Sequence, residues 1–333
     1  MPRNCTPRRH AMLGLIEFGH LTYSQDKLID FLIEHGVLTA TIKCSECGSD
    51  INIDKETLMY RCRKRYYVKN EHKKRVSKQC NFKKSGKAGT WFGKSHLDVA
   101  TICKLVACFL MLRHPRQDDT QDETGVSSPT TIVDWFNFCR EVCVFWAEKH
   151  SEKLGGPGCT VEIDEAKIGK RKYNRGRLIT GHWIFGGYER GTKKIFIVPV
   201  QDRTEKTLLA CIKEWILPGT TIVSDCWKSY NCLNNEGFQH LTVNHSYNFV
   251  DPETGAHTQH IERVWREVRG NIPRYGTRED HLLGYLCEYL FKRAYSRLER
   301  IEIFFDVIAE LYPPTSTFED QPEASDEPST STA

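Results

Sequence analysis

Thr220–Tyr230 reads TTIVSDCWKSY, and His257–Gly270 reads HTQHIERVWREVRG. The first opens on a β-branched run, Thr221-Ile222-Val223, that predicts a buried strand delivering Asp225 at its tip, with an aromatic turn after it. In the second, Ile261, Val264, Trp265 and Val268 recur at i, i+3, i+4 and i+7. That spacing predicts an amphipathic helix from about His260 to Gly270, with Glu262 near its start on the flank of the apolar stripe. Upstream, TVEIDEAKIG predicts a strand through Val161 and Ile163 that ends in Asp164-Glu165. Two strand-tip aspartates and one helix glutamate are therefore available to one divalent-cation centre.

Oxygen-only carboxylate ligands suit Mg²⁺ or Mn²⁺, which keep waters and take phosphate oxygens as their remaining ligands. A metal pair held this way stabilises the attacking and leaving oxygens of a phosphodiester displacement, so the working expectation is polynucleotidyl transfer. An acid at a strand end is just as commonly a helix cap or a solvated loop charge. The helical wheel does not choose between Glu262 and Glu267, since each lies about 110° from the centre of the stripe at 100° per residue.

Whole phrases carry more than the acids do. VEIDEAKIGKRKYNRGR from Val161, the stretch from HWIFGGYERG at His182 to SDCWKSY at Tyr230, and TVNHSYNFVDPETGAHTQHIERVW from Thr242 closely resemble the catalytic domain of Merlin-type cut-and-paste DNA transposases and their bacterial insertion-sequence relatives. The resemblance covers about Cys159 to Leu290. It implies that the DDE acids are Asp164, Asp225 and Glu262, with 36 residues between the last two. It also implies a ribonuclease H-like mixed α/β sheet in which the first and fourth strands are neighbours, bringing Asp164 and Asp225 together.

The pattern along this part is strand (Val161 to Asp164), basic loop, strand (His182 to Glu189), turn, strand (Lys194 to Val200), helix (Glu205 to Ile216) and strand (Thr221 to Asp225), which suits such a sheet. In the basic loop, Lys170, Arg171, Lys172, Arg175 and Arg177 are placed to hold phosphates near Asp164, or to form a solvated hairpin tip. His245, His257 and His260 precede the glutamate. His257-x2-His260 admits a zinc reading, ranked below substrate positioning because a carboxylate centre with Mg²⁺ needs no imidazole. Helices from about Glu279 to Arg297 and from Arg300 to Leu311 close a domain spanning 159–311.

The amino-terminal side divides three ways: a helical segment over 1–40, with Ser24 capping a helix from Gln25 to His35, a basic zinc-ribbon-like region over 41–95, and a helical region over 96–153. Cys44-x2-Cys47-Gly48 is a zinc-knuckle turn, and Cys62 is a third thiolate. The fourth ligand is Cys80 or His72, with Cys80 favoured. Arg61–Lys94 holds 13 Lys or Arg against one acid, Glu71, interleaved with aromatics. Lys64, Arg65, Lys73, Lys74 and Arg75 are therefore expected to track DNA phosphates, and the last three also read as a nuclear-import run. LDVATICKLVACFLML predicts a buried helix, and SSPTTIVDWFNFCREVCVFWAEKH a second one after a polar stretch. The pair is compatible with helix-turn-helix or with a layer bracing the catalytic domain. Leu154–Gly158, LGGPG, reads as a flexible joint.

Formal net charge is +4, and the acidic tail over 312–333 carries five acids with no Lys or Arg, so the remainder is more basic still. A basic surface favours nucleic acid by counterion release. The Pro-, Ser- and Thr-rich tail cannot bury a core and is expected to be disordered. Fourteen cysteines without a secretion signal argue for free or metal-bound thiols in a reducing compartment. No apolar run is long enough to span a membrane.

The expected function is a Mg²⁺- or Mn²⁺-dependent cut-and-paste DNA transposase with structural zinc. Its expected partner is double-stranded DNA, both terminal inverted repeats and target, and because an element has two ends, a homodimer or larger synaptic assembly follows. It would act in the nucleus if eukaryotic, otherwise in the cytoplasm. The alternatives are a domesticated, non-catalytic DNA-binding protein and a hydrolytic nuclease of the same fold.

Overall fold

The computed structural model describes residues 12–69, 71, 74–169, 181–244, 250–273 and 279–314. The chain packs as two units, one formed by residues up to Lys104 with those from Ile301 on, the other by Leu105–Arg300. The flexible joint expected at Leu154–Gly158 is packed structure. Leu154–Gly155 pairs in parallel with Ile216–Leu217, Leu154 is buried, and Gly155 has a φ of 86°. A Cβ on Gly155 would fall 2.2 Å from Thr220 Oγ1, so the glycine serves close approach rather than flexibility.

The first unit begins with α1 (Leu15–Thr22) and α2 (Gln25–Glu34), with Ser24 at the N-cap of α2 and Gly36 in the left-handed region past its end. Strands β1 (Thr41–Lys43), β2 (Asp50–Asp54), β3 (Met59–Arg61) and β6 (Lys83–Ser85) form an antiparallel sheet in that order. β4 (Arg65–Lys69) and β5 (Arg75–Gln79) form a separate hairpin. Ile42, Ile51, Ile53 and Tyr60 alternate inward from the sheet and pack with Cys44, Cys62 and Cys80.

The unit boundary falls inside α3 (Val99–Met111), which is buried nearly all round as its composition predicts. In the second unit, the polar stretch before Gly125 is a two-turn helix, α4 (Gln117–Thr124), which its acidic, stripe-free sequence did not announce. α5 (Pro129–His150) starts with proline in its first turn, behind Ser128, whose hydroxyl accepts from Thr131 N. β7 (Leu154–Gly155) then leads into β8 (Thr160–Ile168), β9 (His182–Glu189) and β10 (Ile195–Val200). α6 (Glu205–Trp215), β11 (Ile216–Leu217), β12 (Thr221–Asp225) and β13 (Gln239–Val243) follow. The unit ends with α7 (Gln259–Asn271) and α8 (Glu279–Ala294).

The main sheet is mixed and ordered β10-β9-β8-β12-β13, antiparallel from β10 to β8 and parallel from β8 through β13. Period-two alternation gives β8 two faces. Val161 and Ile163 join the core with Leu208 and Ile212 of α6, whereas Ala166 and Ile168 join the core with Ile261, Val264, Trp265 and Val268 of α7. Glu162 and Asp164 are on the α7 face. α5 lies along α8, where Trp146 donates to Tyr295 Oη at 3.0 Å and packs edge-on to Phe291. The final helix, α9 (Arg300–Leu311), enters the first unit after Arg300, where Phe305 packs with Phe18 and Phe31. Among the described residues no helix is long and apolar enough to cross a membrane.

Candidate carboxylate site and metal-ligating clusters

Parallel pairing of β8 with β12 matches Val161 to Ile222 and Glu162 to Val223. Two residues further along each strand stand Asp164 and Asp225, so both carboxylates leave neighbouring strands at one level on the α7 face. Burial raises the pKa of Asp164 to about 7, and the negative charges of Glu165 and Asp225 push the same way. Carboxylates crowded and desolvated in this manner are relieved by a cation, and two oxygen donors side by side fit Mg²⁺ or Mn²⁺. Asp225 Oδ1 accepts from Trp227 N at 3.0 Å, which fixes its rotamer. Glu165 lies on the opposite face beside Tyr230, its own pKa raised by burial.

Trp265 Nε1 donates to Asp164 Oδ2 at 2.9 Å. The indole reaches across the sheet because Gly186, paired with Asp164, has no side chain: a Cβ there would fall 2.6 Å from Trp265 Cη2. Sequence reading gave Trp265 only a place in the apolar stripe. Glu262 stands one turn earlier on α7, exposed, with Oε1 accepting from the Thr258 hydroxyl at 3.1 Å. Glu267, its rival on the wheel, accepts instead from Tyr289 Oη at 3.0 Å and Arg293 Nη1 at 2.7 Å.

Glu162 is the residue that sequence reasoning missed. It has no solvent exposure and joins β8 to the start of α7. Its Oε2 accepts from the backbone N–H groups of His260 (2.9 Å) and Ile261 (3.2 Å), and its Oε1 from Arg190 Nε (2.8 Å) and His260 Nδ1 (2.7 Å). Arg190 Nη2 also donates to the His257 carbonyl at 2.8 Å. A carboxylate is thus placed where the orphan N–H groups and positive pole of a helix favour it. The available signal was its place in the strand: period-two alternation sets it on the same face as Asp164.

Among the described residues, two groups of side chains bring three or more ligand atoms within 4.8 Å of one another, Cys44/Cys47/Cys62/Cys80 and Glu162/His257/His260. Asp164, Asp225 and Glu262 are not among them. In the first group, Cys44 Sγ lies 3.4 Å from Cys80 Sγ and Cys47 Sγ 3.5 Å from Cys62 Sγ, and all four are free thiols. Four convergent sulfurs are a donor set compatible with structural zinc, whose tetrahedral Zn–S distance of about 2.3 Å sets sulfurs slightly under 4 Å apart. Cys80, not only the three closer in sequence, is therefore in the cluster, and His72 lies outside the described residues. The Glu162 group fits a metal poorly, because Arg190, His260 and two backbone N–H groups already use the lone pairs of the carboxylate.

Of the expected DNA-contacting residues, Lys64, Arg65, Lys74 and Arg75 are exposed at or beside the β4–β5 hairpin, with the Arg75 guanidinium 5.3 Å from the exposed Tyr67 ring. Lys73, Lys170, Arg171, Lys172, Arg175, Arg177 and His245 lie outside the described residues, as does the tail from 315 on.

Residues 153–294 match the ISXO2-like transposase domain family. An uncharacterized transposase-like protein of Haemophilus influenzae is 28% identical over 104 residues, which cover 30% of this chain and 83% of that protein. Among solved structures, a simian T-cell lymphotropic virus intasome in complex with PP2A regulatory subunit B56 gamma aligns over 51% of this chain at 14% identity and a TM-score of 0.24. This chain spans 63% of that one, and so weak a superposition carries no argument. Residues 153–294 thus match an ISXO2-like transposase domain, and that match together with the Haemophilus relative supports a transposase-derived protein of the insertion-sequence type.

Proposed function

We propose that this chain is a cut-and-paste DNA transposase whose cleavage and joining centre is formed by Asp164, Asp225 and Glu262. The observation that carries the reading is the place of Asp164 and Asp225, each two residues beyond the Glu162–Val223 pair on adjacent parallel strands, on the sheet face toward the helix that bears Glu262. The β10-β9-β8-β12-β13 order supports the ribonuclease H-like reading of the sheet. Engagement of Glu267 by Tyr289 and Arg293 supports Glu262 as the third acid.

Bound Mg²⁺ or Mn²⁺ would supply an activated water and charge stabilisation at the departing 3′ oxygen. The residues of the chain set up the rest. Asp164 and Asp225 would hold the cations, with Asp164 oriented by Trp265 and Asp225 by the Trp227 N–H. Glu162 fixes the first turn of α7, and Thr258 restrains Glu262 there. The zinc-ribbon-like region, closed by Cys44, Cys47, Cys62 and Cys80, presents Lys64, Arg65, Lys74 and Arg75 to DNA phosphates, contacts that position a duplex without reading it. Cutting both ends of an element calls for two copies of the chain.

The test is Mg²⁺-dependent nicking and joining of a terminal-repeat duplex by the full chain and by Asp225→Asn. The proposal expects cleavage and a strand-transfer product from the parent and at least about a hundredfold loss in the variant. Equal activity in both overturns the site assignment. Binding without cleavage in both favours a non-catalytic DNA-binding protein, and cleavage without joining favours a nuclease.

A further inference from the structure

Beyond the carboxylates, the second half of α7 forms one wall of a cavity of about 620 Å³, completed by α8 and the segment from Leu110 to Arg116. Seven Lys or Arg side chains line it against two glutamates, Glu267 and Glu288. Glu267 is spent on Arg293. Glu288, 4% exposed, forms the floor and receives Arg116 Nη1 at 2.7 Å, Lys292 Nζ at 2.7 Å and Arg140 Nε at 3.2 Å. One buried acid thus faces three buried cations, where buried charges are ordinarily matched. Arg116, clasped between the Phe109 and Phe136 rings, keeps Nε and Nη2 without a hydrogen-bond partner among the described residues. At the rim, Arg113, Arg266 and Arg297 are exposed, and none forms an ion pair with a described acid. Burial and the fields of Arg297 and Arg113 push the pKa of Arg300 down. A concave surface with this excess of positive charge focuses its field on an anion.

The geometry points to this cavity as a second backbone-binding site for DNA, in which Arg113, Arg266 and Arg297 hold phosphates of the strand that continues away from Asp164 and Asp225. Its ligand rests on the DNA-cleaving reading above. Arg266 follows Glu262 by four residues, hence on the same flank of α7 and about 6 Å along its axis, and Gly270 lies about 12 Å along. At about 3.4 Å of duplex axis per phosphate of one strand, the cavity takes phosphates about two to four nucleotides from the carboxylates.

The test measures binding of the full chain to a labelled terminal-repeat duplex by anisotropy over a series of salt concentrations, in Ca²⁺ to keep the DNA intact. Arg113→Ala/Arg266→Ala/Arg297→Ala is compared with Lys27→Ala/Lys193→Ala/Lys206→Ala, an equal loss of charge from exposed positions elsewhere. Each lost phosphate contact flattens the slope of log K against log[salt] by about 0.9, so the arginine variant is expected to lose about 2–3 of slope and at least tenfold in affinity. Arg266→Lys, which keeps the charge, restores that contact. Equal slopes in the two triple variants overturn the proposal, as does a loss confined to inorganic phosphate with DNA binding unchanged. Circular dichroism of each variant verifies folding, and single Arg113→Ala and Arg297→Ala variants give the same readout if the triple variant unfolds. Cleavage retained with an unchanged slope sinks this site alone. A flattened slope in a protein that never cleaves sinks the catalytic reading and leaves the site standing.

Discussion

Replacing Glu162 by alanine should loosen the start of α7 and take the carboxylate centre with it. The substitution strips a fully buried carboxylate of four accepted hydrogen bonds and leaves the Arg190 guanidinium and the His260 and Ile261 N–H groups without their acceptor. Removing one member of a buried charge pair costs about 3–5 kcal/mol, and losing a helix cap costs about 1 kcal/mol. Because the two losses share one side chain, a total of about 4–5 kcal/mol is expected for the alanine variant. Glu162→Gln keeps the shape but turns a donor toward other donors, and should cost about 2–3 kcal/mol. Urea denaturation followed by tryptophan fluorescence gives the total. Amide hydrogen exchange at His260 and Ile261 separates a local opening from a global one, since these two N–H groups should lose protection first. A loss below about 1 kcal/mol for the alanine variant, with exchange at both amides unchanged, would refute the idea that this acid anchors the helix.

Three further outcomes follow from the same geometry. Trp265→Phe keeps a ring over Gly186 but removes the donor to Asp164 Oδ2, so kcat for nicking should fall about tenfold with KM for DNA and thermal stability nearly unchanged. Asp164→Asn should stabilise the metal-free protein at pH 8 by about 2–4 kcal/mol and not at pH 3. The folded-state pKa of about 7 lies above the ordinary 3.8, so the unfolded chain gives up this proton first and stability drains away as pH rises toward 7. Denaturation curves at the two pH values test the sign. Cys62→Ser should lower bound zinc, measured by atomic absorption, and destabilise the first unit while leaving the Leu105–Arg300 unit folded, which a two-transition melt would resolve.

The elements whose pattern is strongly periodic or β-branched were legible in advance. His182–Glu189, Thr221–Asp225 and Arg300–Leu311 have their expected bounds, and α7 differs from expectation by one residue at each end. α4 was not legible, because an acidic eight-residue segment has no apolar stripe to read. LGGPG looked like a joint because glycine marks both flexible chain and close approach, and only the position of Thr220 tells which. The site was half legible: acids at strand tips can be listed from the sequence, but their convergence depends on strand order, which local pattern does not encode. Glu162 and Trp265 were hidden for the same reason, since what they touch lies about a hundred residues away along the chain. The wheel left Glu262 and Glu267 equivalent; the family resemblance singled out Glu262, and the two acids have different tertiary partners.

Manganese is the most direct probe of the central claim, because its anomalous scattering locates it in crystals of the full chain. The account predicts Mn²⁺ between the carboxylates of Asp164 and Asp225, at about 2.1–2.2 Å from their oxygens and with Glu262 turned toward it. A peak at Glu162, His257 and His260 with none at Asp164 and Asp225, or a cation that ignores Glu262 even with DNA bound, would contradict it.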